Sequence, residues 1–296
     1  MSFAIRIHET GGPEKMRWEE VEVGSPGPGQ VLVRNTAVGL NFIDVYQRTG
    51  LYPNALPLTL GMEGAGVVEA IGPKVKEFKV GDRVAYANPI GSYAEVCLRP
   101  VERLVKIPTG VSDRIAAAIM LKGMTAWYLI KRTYKVRKGD TILVHAAAGG
   151  VGQILCQWAK HLGATVIGTV GSDAKAVLAK KAGCKHVIVT SREKFVDRVK
   201  EITKGKGVPV VYDGVGKDTF MDSLDCLAPL GLMASFGNAS GAVTQFNPGV
   251  LAQKGSLFLT RPTLFTYTGK REDLVRAAQD LFAVVKNKAV RISINQ

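Results

Sequence analysis

The run Ala146-Ala-Ala-Gly-Gly-Val-Gly152 gathers small residues at a spacing that suits a phosphate turn. Ala147 takes the first small position of a dinucleotide-binding pattern, with Gly149, Gly150, Val151 and Gly152 completing it. Such a turn lets backbone N–H groups reach a pyrophosphate at a helix start, and its last glycine lets that helix approach the sheet. A ligand-free packing turn would use the same residues. An apolar strand pattern at 141–145 and a helical pattern at 153–161 favour the nucleotide. Further on, Thr169-Val-Gly-Ser-Asp-Ala-Lys175 stands where an adenosine ribose would lie. Gly171 and Ser172 leave room there, and Lys175 can reach a 2′-phosphate, so NADPH is expected over NADH. Asp173 could instead face a ribose hydroxyl, and Lys175 could be merely solvated. Near the N-terminus, Asn41-Phe-Ile-Asp-Val-Tyr46 and Gly50-Leu-Tyr-Pro53 supply polar and aromatic groups. Tyr46 or Tyr52 could orient a carbonyl oxygen or an aromatic face, and Asn41 a nicotinamide or substrate. Capping by Asn41, capping or pairing by Asp44, and interface packing by the tyrosines are the alternative uses.

The elements that must position these groups fall into two patterns. Short strands are expected at 3–7, 31–38, 64–70, 83–87 and 92–98, with turns at 24–29 and 81–82, which suits a mostly β domain. Ser112 is expected to cap a helix over 113–122, followed by another at 125–131. Strands at 141–145, 164–170, 186–189, 208–212 and 231–236 then alternate with helices at 153–161, 175–182, 195–202 and 219–227. That alternation predicts a doubly wound, mostly parallel α/β sheet. Domains are expected at 1–123 and 124–262, with 263–296 beginning a return to the first domain.

The 296 residues suffice for two ordinary domains, and 46% are hydrophobic. No apolar stretch is long enough for a membrane helix, and the start lacks the charge order of a secretory signal, so a cytoplasmic protein without stable membrane insertion is expected. The net charge of +14 could attract an anionic cofactor, nucleic acid such as RNA or an acidic membrane surface, or be a dispersed solvated surface, and no aromatic-basic stripe accompanies it. Cys97, Cys156, Cys184 and Cys226 are too widely spaced for a CxxC unit, and the four histidines do not cluster, so no metal is expected.

The chain resembles the zeta-crystallin-like quinone oxidoreductases of the medium-chain dehydrogenase/reductase superfamily. The resemblance rests on Asn41-Phe-Ile-Asp44, Arg48-Thr-Gly-Leu-Tyr-Pro53, Gly61-Met-Glu-Gly-Ala-Gly66, Lys122-Gly-Met-Thr-Ala126, the 146–152 turn and Ser235-Phe-Gly-Asn-Ala-Ser-Gly241. It implies a GroES-like, mostly β catalytic domain, a Rossmann-like domain, NADPH as cofactor, a homodimer and no zinc. Where zinc-dependent relatives carry a histidine-glutamate pair, this chain has Met62-Glu63. It further implies that Asn41, Asp44 and Tyr46 line the nicotinamide side and that Tyr52 faces substrate. Tyr128, Gly150 and Val151 match cofactor positions, Gly171, Ser172 and Lys175 the adenosine-phosphate side, and Phe236, Gly237 and Asn238 a later loop. Thr190-Ser-Arg192 stands where some relatives place a tyrosine. The expected activity is hydride or electron delivery from NADPH to a quinone. The alternatives are another conjugated carbonyl or an RNA-associated nucleotide-binding role without reductase activity. Relatives continue past 296 through a further helix and strand, so part of the catalytic return element is expected to be missing.

Overall fold

Valines and alanines alternate with polar residues through the first third of the chain, and the computed structural model, which describes residues 2–294, folds these runs into two antiparallel sheets. The elements are β1 (Ser2–Ile7), β2 (Arg17–Val21), β3 (Gln30–Gly39), α1 (Phe42–Arg48), β4 (Leu58–Thr59), β5 (Glu63–Ile71), β6 (Arg83–Ala87), β7 (Val96–Pro100) and β8 (Leu104–Lys106). The order is β2-β1-β4 in one sheet and β7-β3-β5-β6-β8 in the other. Val31, Val33, Val68, Val84 and Leu104 pack around Phe78 and Tyr86 as the core of the larger sheet.

The strand expected from 92 begins instead at Val96. Residues just before it first pair with β1, through Ile5 N–H to Tyr93 O at 2.7 Å and Glu95 N–H to Phe3 O at 2.9 Å. Only after changing sheets does the chain join β3. Helices expected at 113–122 and 125–131 are one helix, α2 (Asp113–Tyr128), followed by a π-helical turn Leu129–Thr133. Ser112 caps α2 by accepting from Ile115 N–H at 3.3 Å. Gly123 does not break the helix; a Cβ there would come within 2.6 Å of Leu281 Cδ1, so the glycine serves close packing.

The second half alternates strand and helix: β9 (Thr141–Val144), α3 (Gly150–His161), β10 (Thr165–Val170), α4 (Asp173–Lys181), β11 (His186–Val189), α5 (Phe195–Ile202), β12 (Val208–Asp213), α6 (Phe220–Leu224), β13 (Leu227–Ser235), α7 (Gly249–Gln253), β14 (Phe258–Thr260) and α8 (Leu264–Tyr267). All six strands are parallel, in the order β11-β10-β9-β12-β13-β14. Order reverses beside β9, which places a topological switch point at the turn that follows it. The helix expected over 219–227 ends at Leu224, because Leu227 already pairs with Val208 as β13 begins. Leu143, Ile167 and Val211 form the core with Phe195, Phe220 and Met233.

Backbone contacts divide the chain into two units. One takes the residues up to Met124, then Thr268–Lys286 and the residues from Ile292; the other takes Thr125–Tyr267 and Asn287–Arg291. The first unit thus includes the long helix α9 (Arg271–Lys286), tied to it by Arg271 Nη1 donating to Leu104 O at 2.5 Å. Within the second, Arg291 N–H donates to Gln157 Oε1 at 2.9 Å. The final two residues of the expected return, Asn295 and Gln296, lie outside the described residues. Among the described residues, no helix is long and apolar enough to cross a membrane.

Candidate active site

In the second unit the small-residue run forms a turn at the carboxyl end of β9. Ala146 is left-handed at φ 49°, and Gly149 closes the turn by donating its N–H to Ala146 O at 2.8 Å. The first bond of α3 runs from Gln153 N–H to Gly149 O, so the N–H groups of Gly150, Val151 and Gly152 have no acceptor within the helix. No acidic residue occupies that first turn. A Cβ on Gly152 would lie 2.3 Å from Ala146 O and 2.8 Å from Ala147 Cα, so only hydrogen fits between helix and turn. These backbone N–H groups at the helix start could hold a pyrophosphate.

At the end of β10, a Cβ on Gly171 would meet nothing within 4 Å. Ser172 caps α4 by accepting from Lys175 N–H at 3.4 Å, and the Lys175 side chain is exposed. The helix begins at Asp173, two residues before the expected start, because Ser172 supplies the cap. Asp173 is paired with Arg192, whose Nη1 lies 2.7 Å from one carboxylate oxygen and 2.9 Å from the other.

The later loop is pinned from below. Asp213 Oδ1 accepts from Val215 N–H at 2.7 Å and Gly216 N–H at 3.1 Å, and its Oδ2 accepts from Thr219 Oγ1 at 2.8 Å. Phe236 N–H donates to Asp213 O at 2.8 Å. A Cβ on Gly237 would sit 2.3 Å from Gly214 O, and Arg261 donates to Ser235 O and Gly237 O at 2.8 and 2.9 Å. Asn238 continues the same loop, its backbone carbonyl accepting from Gly241 N–H. Tyr128 is buried, its ring stacked on Tyr267 at 4.5 Å and 8°, and burial pushes its phenol upward. That ring face is therefore covered. Neither Asp213 nor Arg261 was singled out in the sequence, where Asp213 is a lone charge at the end of an apolar strand and Arg261 a lone charge just after one.

In the first unit, Asn41, Asp44 and Tyr46 are brought together by α1. Asn41 Nδ2 donates to Glu63 Oε1 at 2.9 Å, and its Oδ1 accepts from Lys122 Nζ at 3.0 Å. Glu63 is fully buried, pairs with Lys122 and accepts from Leu121 N–H at 2.6 Å. Both of its oxygens are thus engaged. Asp44 Oδ2 accepts from Asn41 N–H at 2.8 Å and Tyr93 Oη at 2.7 Å, while Oδ1 is buried with no partner. Burial raises the Asp44 carboxyl to about 6, against the lowering effect of its bonds to Tyr93 and Asn41. The Tyr46 ring lies edge-on to Tyr52 at 5.2 Å and to Phe42 at 5.4 Å. Asn41 and Asp44 therefore do the capping and pairing that the sequence left open as an alternative.

The four cysteines are free and buried, and among the described residues no three His, Cys, Asp or Glu side chains converge as metal ligands. His145 is buried between Thr169 Oγ1 at 2.8 Å and Ser223 Oγ at 2.9 Å; burial lowers its pKa and favours the neutral ring.

Known proteins match this architecture. Residues 27–109 match the family described as alcohol dehydrogenase GroES-like domain, and residues 150–282 that described as zinc-binding dehydrogenase. A quinone oxidoreductase of Pseudomonas aeruginosa is 54% identical over 298 residues, covering 100% of this chain and 92% of that protein. A 2-haloacrylate reductase of a Burkholderia species is 49% identical, covering 99% and 91%. The crystal structure of Escherichia coli quinone oxidoreductase complexed with NADPH is 48% identical, with a TM-score of 0.97 over 99% of this chain and 90% of that one. Glycine cradle, parallel sheet and β-rich partner unit together with these likenesses assign the chain to the zinc-independent quinone oxidoreductase family of the medium-chain dehydrogenase/reductases.

Proposed function

We propose that the protein reduces quinones with NADPH, and the observation that carries this is the cradle after β9, where Gly152 leaves room for hydrogen alone. Gly149, Gly150, Val151 and Gly152 hold the pyrophosphate. Gly171, Ser172 and Lys175 receive the 2′-phosphate. Phe236, Gly237 and Asn238 contribute from the pinned loop, and Tyr128 supports the site through its stack with Tyr267. Asn41, Asp44 and Tyr46 serve the nicotinamide end, with Asn41 held in place by Glu63 and Lys122. Tyr52, resting against Tyr46, orients the acceptor.

When bound, NADPH supplies the hydride. The chain contributes binding, orientation and exclusion of water around the acceptor. Glu63, which follows the Met62 that stands where zinc-dependent relatives carry histidine, is not offered as a metal ligand, because its two oxygens are engaged by Lys122, Asn41 and the Leu121 N–H. A conjugated carboxylate is the second acceptor class, suggested by the likeness to a 2-haloacrylate reductase. A panel of benzoquinones, naphthoquinones and 2-haloacrylates separates the two. The quinone assignment predicts the higher kcat/KM for quinones, and a clear preference for haloacrylates would overturn it.

The protein pairs with a second copy through the sheet edge at β14, where the terminal strand is short and Phe258 is 60% exposed. The cytoplasm is its proposed compartment, in keeping with four free thiols and a soluble cofactor.

A further inference from the structure

We propose that Arg192 is the residue that selects for the 2′-phosphate, by exchanging its partner Asp173 for that phosphate; this rests on the NADPH assignment above. Three observations meet at one place. β10 and β11 pair in parallel with Val170 opposite Val189, so the segments following them both leave the carboxyl end of the sheet. Thr190 N–H donates to Val170 O at 2.9 Å, and Arg192 N–H to Val189 O at 3.1 Å, fixing the second segment beside the first. Arg192 Nη1 then lies within hydrogen-bond distance of both oxygens of Asp173, two residues after the open position at Gly171.

Asp173 alone would favour the wrong nucleotide. A carboxylate at this end of the second strand accepts from a ribose 2′-hydroxyl and repels a phosphate there. Arg192 neutralises it. Both side chains are well exposed, 59% for Arg192 and 72% for Asp173, so their mutual attraction is weak and readily given up. A phosphate dianion offers the guanidinium a stronger, bidentate partner, with Lys175 adding a second positive charge. Arg192 therefore acts twice, attracting the 2′-phosphate and masking a carboxylate suited to NADH.

The test is equilibrium binding of NADPH, NADH, adenosine 2′,5′-bisphosphate and AMP, followed by calorimetry. Arg192→Ala is expected to weaken NADPH and the bisphosphate by about tenfold or more, with NADH unchanged or tighter. Asp173→Asn, which frees the arginine, should tighten NADPH, and adding it to Arg192→Ala should restore part of the loss. Equal weakening of NADPH and NADH by Arg192→Ala would overturn the proposal. So would unchanged NADPH affinity in both single variants while the unaltered protein binds NADPH. If the unaltered protein binds neither dinucleotide, the NADPH assignment itself falls, and the selector role with it.

Discussion

Glu63 lies in a strand of glycine, alanine and valine, where an unpaired carboxylate would be costly. Lys122 and Asn41 meet that demand, and in doing so fix Asn41 at the start of α1. Removing one partner of a buried pair leaves the other charge stranded. Lys122→Ala is therefore expected to lower unfolding free energy by about 3 kcal/mol, measured by urea denaturation, with Lys122→Arg losing less. Asp44 behaves in the opposite sense. Its folded pKa of about 6 lies above the ordinary carboxylate value, so the native state binds a proton that the unfolded chain releases. Stability from this group is full at acid pH and declines as pH rises from about 4 to about 6, by roughly 2–3 kcal/mol. Asp44→Asn should flatten that slope; an unchanged pH profile of denaturation would contradict it. The sequence offered these residues as chemistry-bearing candidates through Asn41-Phe-Ile-Asp44. It concealed the Glu63–Lys122 pair, because 59 residues separate partners that only strand pairing and helix packing bring together.

At the level of elements, the turn after β9 was the most legible feature, because its flanking strand and helix are continuous in sequence. Gly152 and Gly171 both belong to the nucleotide segments, yet their surroundings differ. An added methyl at Gly152 collides with backbone, whereas at Gly171 it enters open space. Gly152→Ala is expected to cost about 1–3 kcal/mol of stability and also weaken NADPH binding. Gly171→Ala should change stability by no more than about 0.5 kcal/mol while still weakening NADPH. Denaturation and nucleotide titration on the same preparations check both. Less legible was α1, whose seven residues follow a capping asparagine and are too few for a helical period to stand out. The strand expected at 92–98 was misplaced for a different reason: residues on either side of Val96 serve different sheets, and alternation alone does not distinguish them.

For the whole molecule, two sequence regimes, short alternating strands and then strand–helix repeats, correspond to two units. A return to the first domain is expected from 263; by backbone contacts Thr268–Lys286, which carries α9, groups with the first unit, while Asn287–Arg291 groups with the second. Pairing through β14 predicts the mass of a dimer in light scattering. Replacing the exposed Phe258 by Lys should shift that mass toward the monomer, and a monomeric unaltered protein would contradict the pairing. Delivery of reducing equivalents from NADPH to a quinone is checked by anaerobic mixing of the NADPH-loaded protein with excess benzoquinone while nicotinamide oxidation is followed. Protein-dependent oxidation of NADPH is expected, at a much higher kcat/KM than for NADH. A folded, NADPH-binding protein that gives no quinone-dependent oxidation would contradict it.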